Sequence, residues 1–222
     1  MTLVERMAIF ERTGLYVVIT EAFCGGRPAV EVLANVLKAG VRIVQLREKD
    51  LNDKALHQLA LRFREICSRE NALLIVDDRI DIALATGADG VHLGQDDLPV
   101  GAARSLAPEL IIGCSTHSVQ EAVSAQRAGA DYVNIGPIFS TQTKSGSIHP
   151  LGPDAIDAVA PHLTIPWTVM GGIKVSNIDL VLERGAKVVA VVTGVTEQDD
   201  IVAACVALRE KIAQGSRISP GR

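Results

Sequence analysis

Eight short apolar runs rich in Val and Ile recur along the chain, and their regular return limits the fold more than any other feature. They read LYVVIT (15–20), VRIVQL (41–46), LLIV (73–76), GVHL (90–93), LIIGC (110–114), YVNIG (132–136), IPWTVM (165–170) and VVAVV (188–192). Between them lie segments with helical spacing: AVEVLANVLKAG (29–40), DKALHQLALRFREICSREN (53–71), SVQEAVSAQRAG (118–129), VSNIDLVLERG (175–185) and DDIVAACVALREKIA (199–213). Further helices are expected to start near Arg79 and beyond Pro99. Strands that are apolar throughout are buried on both faces, as in a parallel sheet wrapped by helices. Eight strand–helix units predict an α/β fold, a single-domain (β/α)8 TIM barrel over residues 1–222. An open doubly wound sheet shares the local pattern, but no GxGxxG follows the first run.

The opening MTLVERMAIFERTG places Leu3, Met7, Ile9 and Phe10 at helical spacing, which predicts a short helix over residues 1–13 covering one end of the domain. Residues 214–222 read as a loose tail. A hydrophobic content of 48% supplies a substantial core, and no linker divides the chain. A formal charge of −4, only seven aromatic residues and the lack of a basic run give no reason to expect nucleic acid. No apolar run approaches the roughly 20 residues of a membrane span, and the N-terminus has acids where a signal peptide has a basic start, so a cytoplasmic protein is expected. Cys24, Cys67, Cys114 and Cys205 are scattered without metal-type spacing and read as buried thiols in a reducing compartment. A homo-oligomer is compatible with these features, which do not set the oligomeric state.

In a barrel, chemistry collects where strands exit at their carboxyl ends. After the second run, Gln45, Arg47 and Lys49 alternate and therefore share a face, forming an anion site unless Glu48 and Asp50 neutralise a solvated strand end. The third and fourth runs end in acids: Asp77 and Asp78, then Asp96 and Asp97 after Gln95. Acids from neighbouring loops beside an Arg/Lys site can hold magnesium against a polyphosphate; one member of each pair could instead cap the following helix. In GCSTHS, which holds Ser115, no positioned acid accompanies the Ser and His residues; Ser118 reads as an N-cap and His117 as structural. The longest interruption, residues 136–152, offers Ser140, Thr141, Thr143 and Lys144 for phosphate oxygens, with Pro137, Ile138 and Phe139 expected to anchor its start. Gly171, Gly172 and Thr193 fall after the seventh and eighth runs, where phosphate-binding barrels hold a phosphate.

The stretches QLREKD, DDRIDIAL, ADGVHLGQDDLP, GCSTHS, GADYVNIGPIFSTQTK and MGGI, in this order, closely resemble the thiamine phosphate synthase family over roughly residues 15–210. GVHLGQ together with GPIFSTQTK is highly specific, whereas MGGI alone would be weak. The resemblance implies a (β/α)8 barrel that joins an aminopyrimidine methyl diphosphate to a thiazole phosphate, releasing pyrophosphate and making thiamine monophosphate. It further implies that Gln45, Arg47 and Lys49 hold the diphosphate, that Asp78 and Asp97 coordinate Mg2+, and that Ser115 and Lys144 engage the pyrimidine substrate and departing pyrophosphate. Arg47, Ser115 and Lys144 are the residues it implies for catalysis. Thr141 and Thr143 match the family's loop hydroxyls, Asp77 falls among the substrate-contacting positions, and Gly171, Gly172, Val192 and Thr193 fall where the thiazole phosphate is received. Three positions depart from the pattern: Asp77 where the family commonly has Asn, Val188 where it often has Gly, and Thr193 where it often has Ser. Val188 would be expected to crowd the backbone near the thiazole phosphate. A thiazole tautomerase-like enzyme, which has no use for a diphosphate site, or a catalytically silent thiazole-phosphate-binding regulator, for which Asp77 and Val188 are the motivation, is the alternative.

Overall fold

The computed structural model describes residues 1–141, Thr143 and 149–218, the last three by backbone alone. In chain order the elements are α1 (Leu3–Thr13), β1 (Leu15–Ile19), α2 (Ala29–Lys38), β2 (Ile43–Leu46), α3 (Asp53–Arg69), β3 (Leu73–Asp77), α4 (Ile80–Thr86), β4 (Gly90–Leu93), α5 (Val100–Leu106), β5 (Ile111–Thr116), α6 (Val119–Arg127), β6 (Tyr132–Ile135), α7 (Asp154–Val159), β7 (Trp167–Val169), α8 (Asp179–Leu182), β8 (Val188–Val191), α9 (Thr193–Thr196) and α10 (Ile201–Ile218). Each strand pairs in parallel with the next, and β8 returns to β1 with Leu15 opposite Val189, so the sheet closes into a barrel without an edge.

Strand pleating divides the apolar residues into two cores. Outward residues such as Val17, Val44, Leu74, Val91, Ile112, Val133 and Val189 pack against the helices. Inward residues Tyr16, Ile43, Leu73, Ile75, Ile111, Tyr132 and Val188 fill the barrel floor together with Phe10. Phe10 comes from α1, whose Leu3, Met7 and Ile9 also pack on this inner cluster, so the helix closes the amino end of the barrel. A capping box starts α1: the Thr2 hydroxyl accepts the Glu5 N–H, and the Glu5 carboxylate accepts the Thr2 N–H at 2.7 Å.

The helices differ from the periodicity reading in three places. α7 is short and ends before Pro161, too few residues to stand out by spacing. The segment 175–185 forms tight turns first, and its α-helix is confined to Asp179–Leu182. At the other end α10 continues to Ile218, so the expected loose tail from residue 214 is helical through 218; residues 219–222 lie outside the described residues.

Candidate active site

The same alternation that builds the floor sends a polar side chain inward one or two steps further along six neighbouring strands. Gln45, His92, Ser115, Asn134 and Thr168 are buried inside the barrel, and Asp77 follows Val76 at the end of β3. All but Thr168 line one cavity at the carboxyl ends of the strands; Thr168 lies beneath it and donates to Asn134 Oδ1 at 2.8 Å. The same cavity is lined by Arg47, Lys49, Asp78, Asp97, Thr141, Thr143, Gly171, Gly172, Val192 and Thr193. The expected site residues among the described ones are therefore brought to one place, Ser140 excepted, although their sequence positions span most of the chain. Lys144 lies outside the described residues.

Charge dominates one side of the cavity. The Lys49 ammonium is 2.9 Å from Asp77 Oδ2 and also contacts Asp78, while Arg47 Nε is 3.4 Å from Asp77. The cations that follow β2 thus meet the acids at the exit of β3, and the alternative, neutralisation by Glu48 and Asp50, is not what forms. Glu48 instead accepts the Glu21 N–H at 2.7 Å. Burial alone would lower the Lys49 ammonium, but Asp77 and Asp78 outweigh it and leave its pKa raised. Burial raises the Asp77 carboxyl, with Lys49 and Arg47 opposing that shift. Asp97 is also raised, by burial and then by the Asp78 carboxylate facing it.

Neither acidic pair caps a helix. α4 follows Arg79 without a side-chain cap, and α5 follows Pro99 without one. Asp97 accepts the Gly94 N–H at 2.6 Å, which fixes it beside the β4 exit. Asp78 has φ +59°, a left-handed conformation that aspartate tolerates at a cost, and its N–H donates to His92 O at 2.8 Å. This turn places the consecutive carboxylates Asp77 and Asp78 around one ammonium. Among the described residues, no group of three or more His, Cys, Asp or Glu could hold a metal. Two facing carboxylates instead suit a hard divalent cation that completes its shell with phosphate and water oxygens.

The opposite wall is built by close backbone contact. The Ile138 N–H donates to Met170 O and the Phe139 N–H to Gly171 O, at 2.8 and 2.9 Å, while the Leu151 and Gly152 N–H groups return to Pro137 O and Ile138 O. Ile138 is buried, so the start of the long interruption is anchored as expected. Gly171 and Gly172 have φ +100° and +62°, and a Cβ on Gly172 would come within 2.4 Å of Ser140 O. Only glycine permits both this backbone and this approach. Thr141 and Thr143 place their hydroxyl oxygens 2.9 Å apart at the rim.

Ser118 caps α6 as expected by accepting the Glu121 N–H; His117 Nδ1 donates to Gly136 O at 2.7 Å, a structural contact, and the residue also lines the cavity. Val188 corrects an expectation: it sits in the floor cluster with Tyr16 and Phe10, a layer below the cavity, because it opens β8 rather than ending it. His92 and Asn134 were not singled out as site residues. Each is a lone polar residue inside an apolar strand, GVHL and YVNI, and that interruption at an inward position is the signal that could have found them.

The model of the thiamine monophosphate synthase family matches residues 15–195. A thiamine-phosphate synthase from Shouchella clausii is 41% identical over 204 residues, covering 91% of this chain and 98% of that protein. One from Methanospirillum hungatei is 43% identical over 192 residues, covering 86% of this chain and 93% of its own length. Among solved structures, a thiamine phosphate pyrophosphorylase from Pyrococcus furiosus superposes with a TM-score of 0.86 at 32% identity, covering 92% and 98% of the two chains. A 3-hexulose-6-phosphate synthase, at 20% identity and a TM-score of 0.67, shares the fold. With the match spanning all eight strands and the cavity they form, the chain belongs to the thiamine monophosphate synthase family.

Proposed function

We propose that this cavity condenses 4-amino-2-methyl-5-(diphosphooxymethyl)pyrimidine with 4-methyl-5-(2-phosphooxyethyl)thiazole, giving thiamine monophosphate and pyrophosphate. The observation that carries the residue assignment is the convergence of Arg47 and Lys49 with Asp78 and Asp97 on one cavity. Gln45, Arg47 and Lys49 receive the diphosphate, with Asp77 beside them. Asp78 and Asp97 hold Mg2+, which when bound neutralises charge on the departing pyrophosphate.

In the reaction the carbon–oxygen bond at the pyrimidine methylene breaks, and the electron pair leaves with pyrophosphate. The remaining cation is delocalised over the aminopyrimidine, and the thiazole nitrogen supplies the pair for the new carbon–nitrogen bond. No protein nucleophile is required. What the chain supplies is positive charge for the leaving group, from Arg47, Lys49 and Lys144, and a fixed approach for the two substrates. Ser115, Thr141 and Thr143 supply hydroxyls to the pyrimidine substrate, and Gly171, Gly172, Val192 and Thr193 receive the thiazole phosphate. The four cysteines are buried free thiols, in keeping with the proposed cytoplasmic location.

The test incubates the purified protein with both substrates, with and without magnesium, and follows thiamine monophosphate and pyrophosphate. Equal amounts of the two products that depend on magnesium are expected. Tight thiazole phosphate binding without product would overturn the proposal.

A further inference from the structure

Four buried polar side chains form one hydrogen-bonded file through the barrel interior. Tyr16 Oη lies 3.2 Å from Tyr132 Oη, Tyr132 Oη 2.9 Å from His92 Nδ1, and His92 Nε2 2.9 Å from Ser115 Oγ. Tyr16 and Tyr132 belong to the floor, where the Phe10 ring lies tilted against Tyr132 with centroids 4.4 Å apart, whereas Ser115 lines the cavity. Gly113 makes the file fit: a Cβ there would stand 2.1 Å from Tyr132 Cζ.

The closed end gives the file a direction. Tyr16 is 2% exposed, and the partner its hydroxyl finds among the described residues is Tyr132. If Tyr16 donates to Tyr132, Tyr132 to His92 Nδ1, and His92 Nε2–H to Ser115 Oγ, every proton in the file is used and the Ser115 proton faces the cavity. Run backwards, Ser115 would donate to His92 and the Tyr16 proton would be stranded among apolar side chains, with the penalty of a buried unmade bond. Burial raises the pKa of both phenols, which keeps their hydroxyls protonated as this direction requires.

We propose that His92 is a positioning residue which, held by Tyr132 and Tyr16, makes Ser115 a hydrogen-bond donor to an acceptor atom of the pyrimidine diphosphate substrate. This rests on the assignment of Ser115 as a substrate contact. The role differs from packing because it acts only through the Ser115 hydroxyl, so a double-mutant cycle separates the two.

Steady-state kinetics would be measured for His92→Phe, His92→Gln, Tyr132→Phe and Ser115→Ala, and for each His92 or Tyr132 change combined with Ser115→Ala. Thermal unfolding of every variant would be recorded alongside. His92→Phe should lower kcat/KM for the pyrimidine diphosphate roughly tenfold, and Tyr132→Phe about threefold. His92→Gln, whose amide can present an N–H near the Nε2 position, should recover part of the loss. In the Ser115→Ala background none of these changes should lower kcat/KM further, even where unfolding temperatures fall. Equal losses in both backgrounds would overturn the proposal. Full activity of Ser115→Ala would remove the substrate contact and this inference with it, while product formation would still report on the proposed reaction separately. If His92→Phe does not fold, the Tyr132→Phe cycle decides the question, since it removes one oxygen and keeps the ring.

Discussion

At the amino end of the barrel, Asp89 Oδ2 accepts the Leu74 N–H at 2.9 Å and pairs with Arg64, while Oδ1 lies 3.2 Å from Arg6 of α1. Two strands further on, Asp131 repeats the device: its Oδ2 accepts the Ile112 N–H at 2.7 Å and pairs with Arg104. At the carboxyl end, by contrast, Asp77 and Asp78 share the Lys49 ammonium, and Asp97 faces Asp78 with one backbone N–H for support. The same residue type is satisfied by its own chain at one end and crowded by its own kind at the other. Satisfied carboxylates tie strand to strand and helix to barrel. Crowded ones form a charge pattern that a fold pursuing stability alone would avoid, and that the proposed function uses.

The largest effect is expected from removing the crowded acids. Asp78→Ala and Asp97→Ala should each lower kcat/KM by roughly 100- to 1000-fold and weaken the response to magnesium, since stabilisation of developing charge is lost. Their unfolding midpoints should scarcely move; near-parental rates would remove the metal assignment. Asp89→Ala should do the reverse. It leaves Arg6 and Arg64 without their carboxylate in a largely buried setting, and denaturant unfolding should show a loss of about 3 kcal/mol with activity per folded molecule retained.

Asp77→Asn sharpens the contrast at intermediate size. It keeps the shape, removes one negative charge beside Arg47 and Lys49, and should lower the KM for the pyrimidine diphosphate about threefold, the modest value reflecting the partial exposure of Lys49. A raised KM would mean that the carboxylate is needed to aim those cations.

The smallest effect is expected at Arg79, which pairs with Asp53 and Asp81 on the surface. The Arg79 hydrogen bond holds the Asp81 carboxyl below its usual value. That contribution is present above the ordinary aspartate range and is lost as pH falls through the lowered folded value. Arg79→Ala should therefore cost about 0.5 kcal/mol at neutral pH, with the two unfolding curves converging in acid.

Much of the site was legible because strand geometry is regular. Gln45, Arg47 and Lys49 alternate in a six-residue stretch, and alternation alone puts them on one face. The partners of Arg47 and Lys49 were not legible. Local spacing suggested Glu48 and Asp50, but the adjacent strand delivers Asp77 and Asp78, since parallel pairing sets Gln45 opposite Ile75 and brings the two exits together. Val188 shows the converse limit. Its residue type was plain, but whether it sits at the floor or the rim depends on where β8 begins.

The repeating strand–helix unit, the inward and outward faces of each strand, and the carboxyl-end residues available for chemistry can be read from the residues alone, because they follow from a two-residue pleat and a 3.6-residue turn. That β8 meets β1, that Lys49 lies between two aspartates, and that Tyr16, Tyr132, His92 and Ser115 join in one file emerge only from the folded barrel. Those contacts join residues far apart in the sequence, 116 positions for Tyr16 and Tyr132, and the register that aligns them exists only once the barrel has closed.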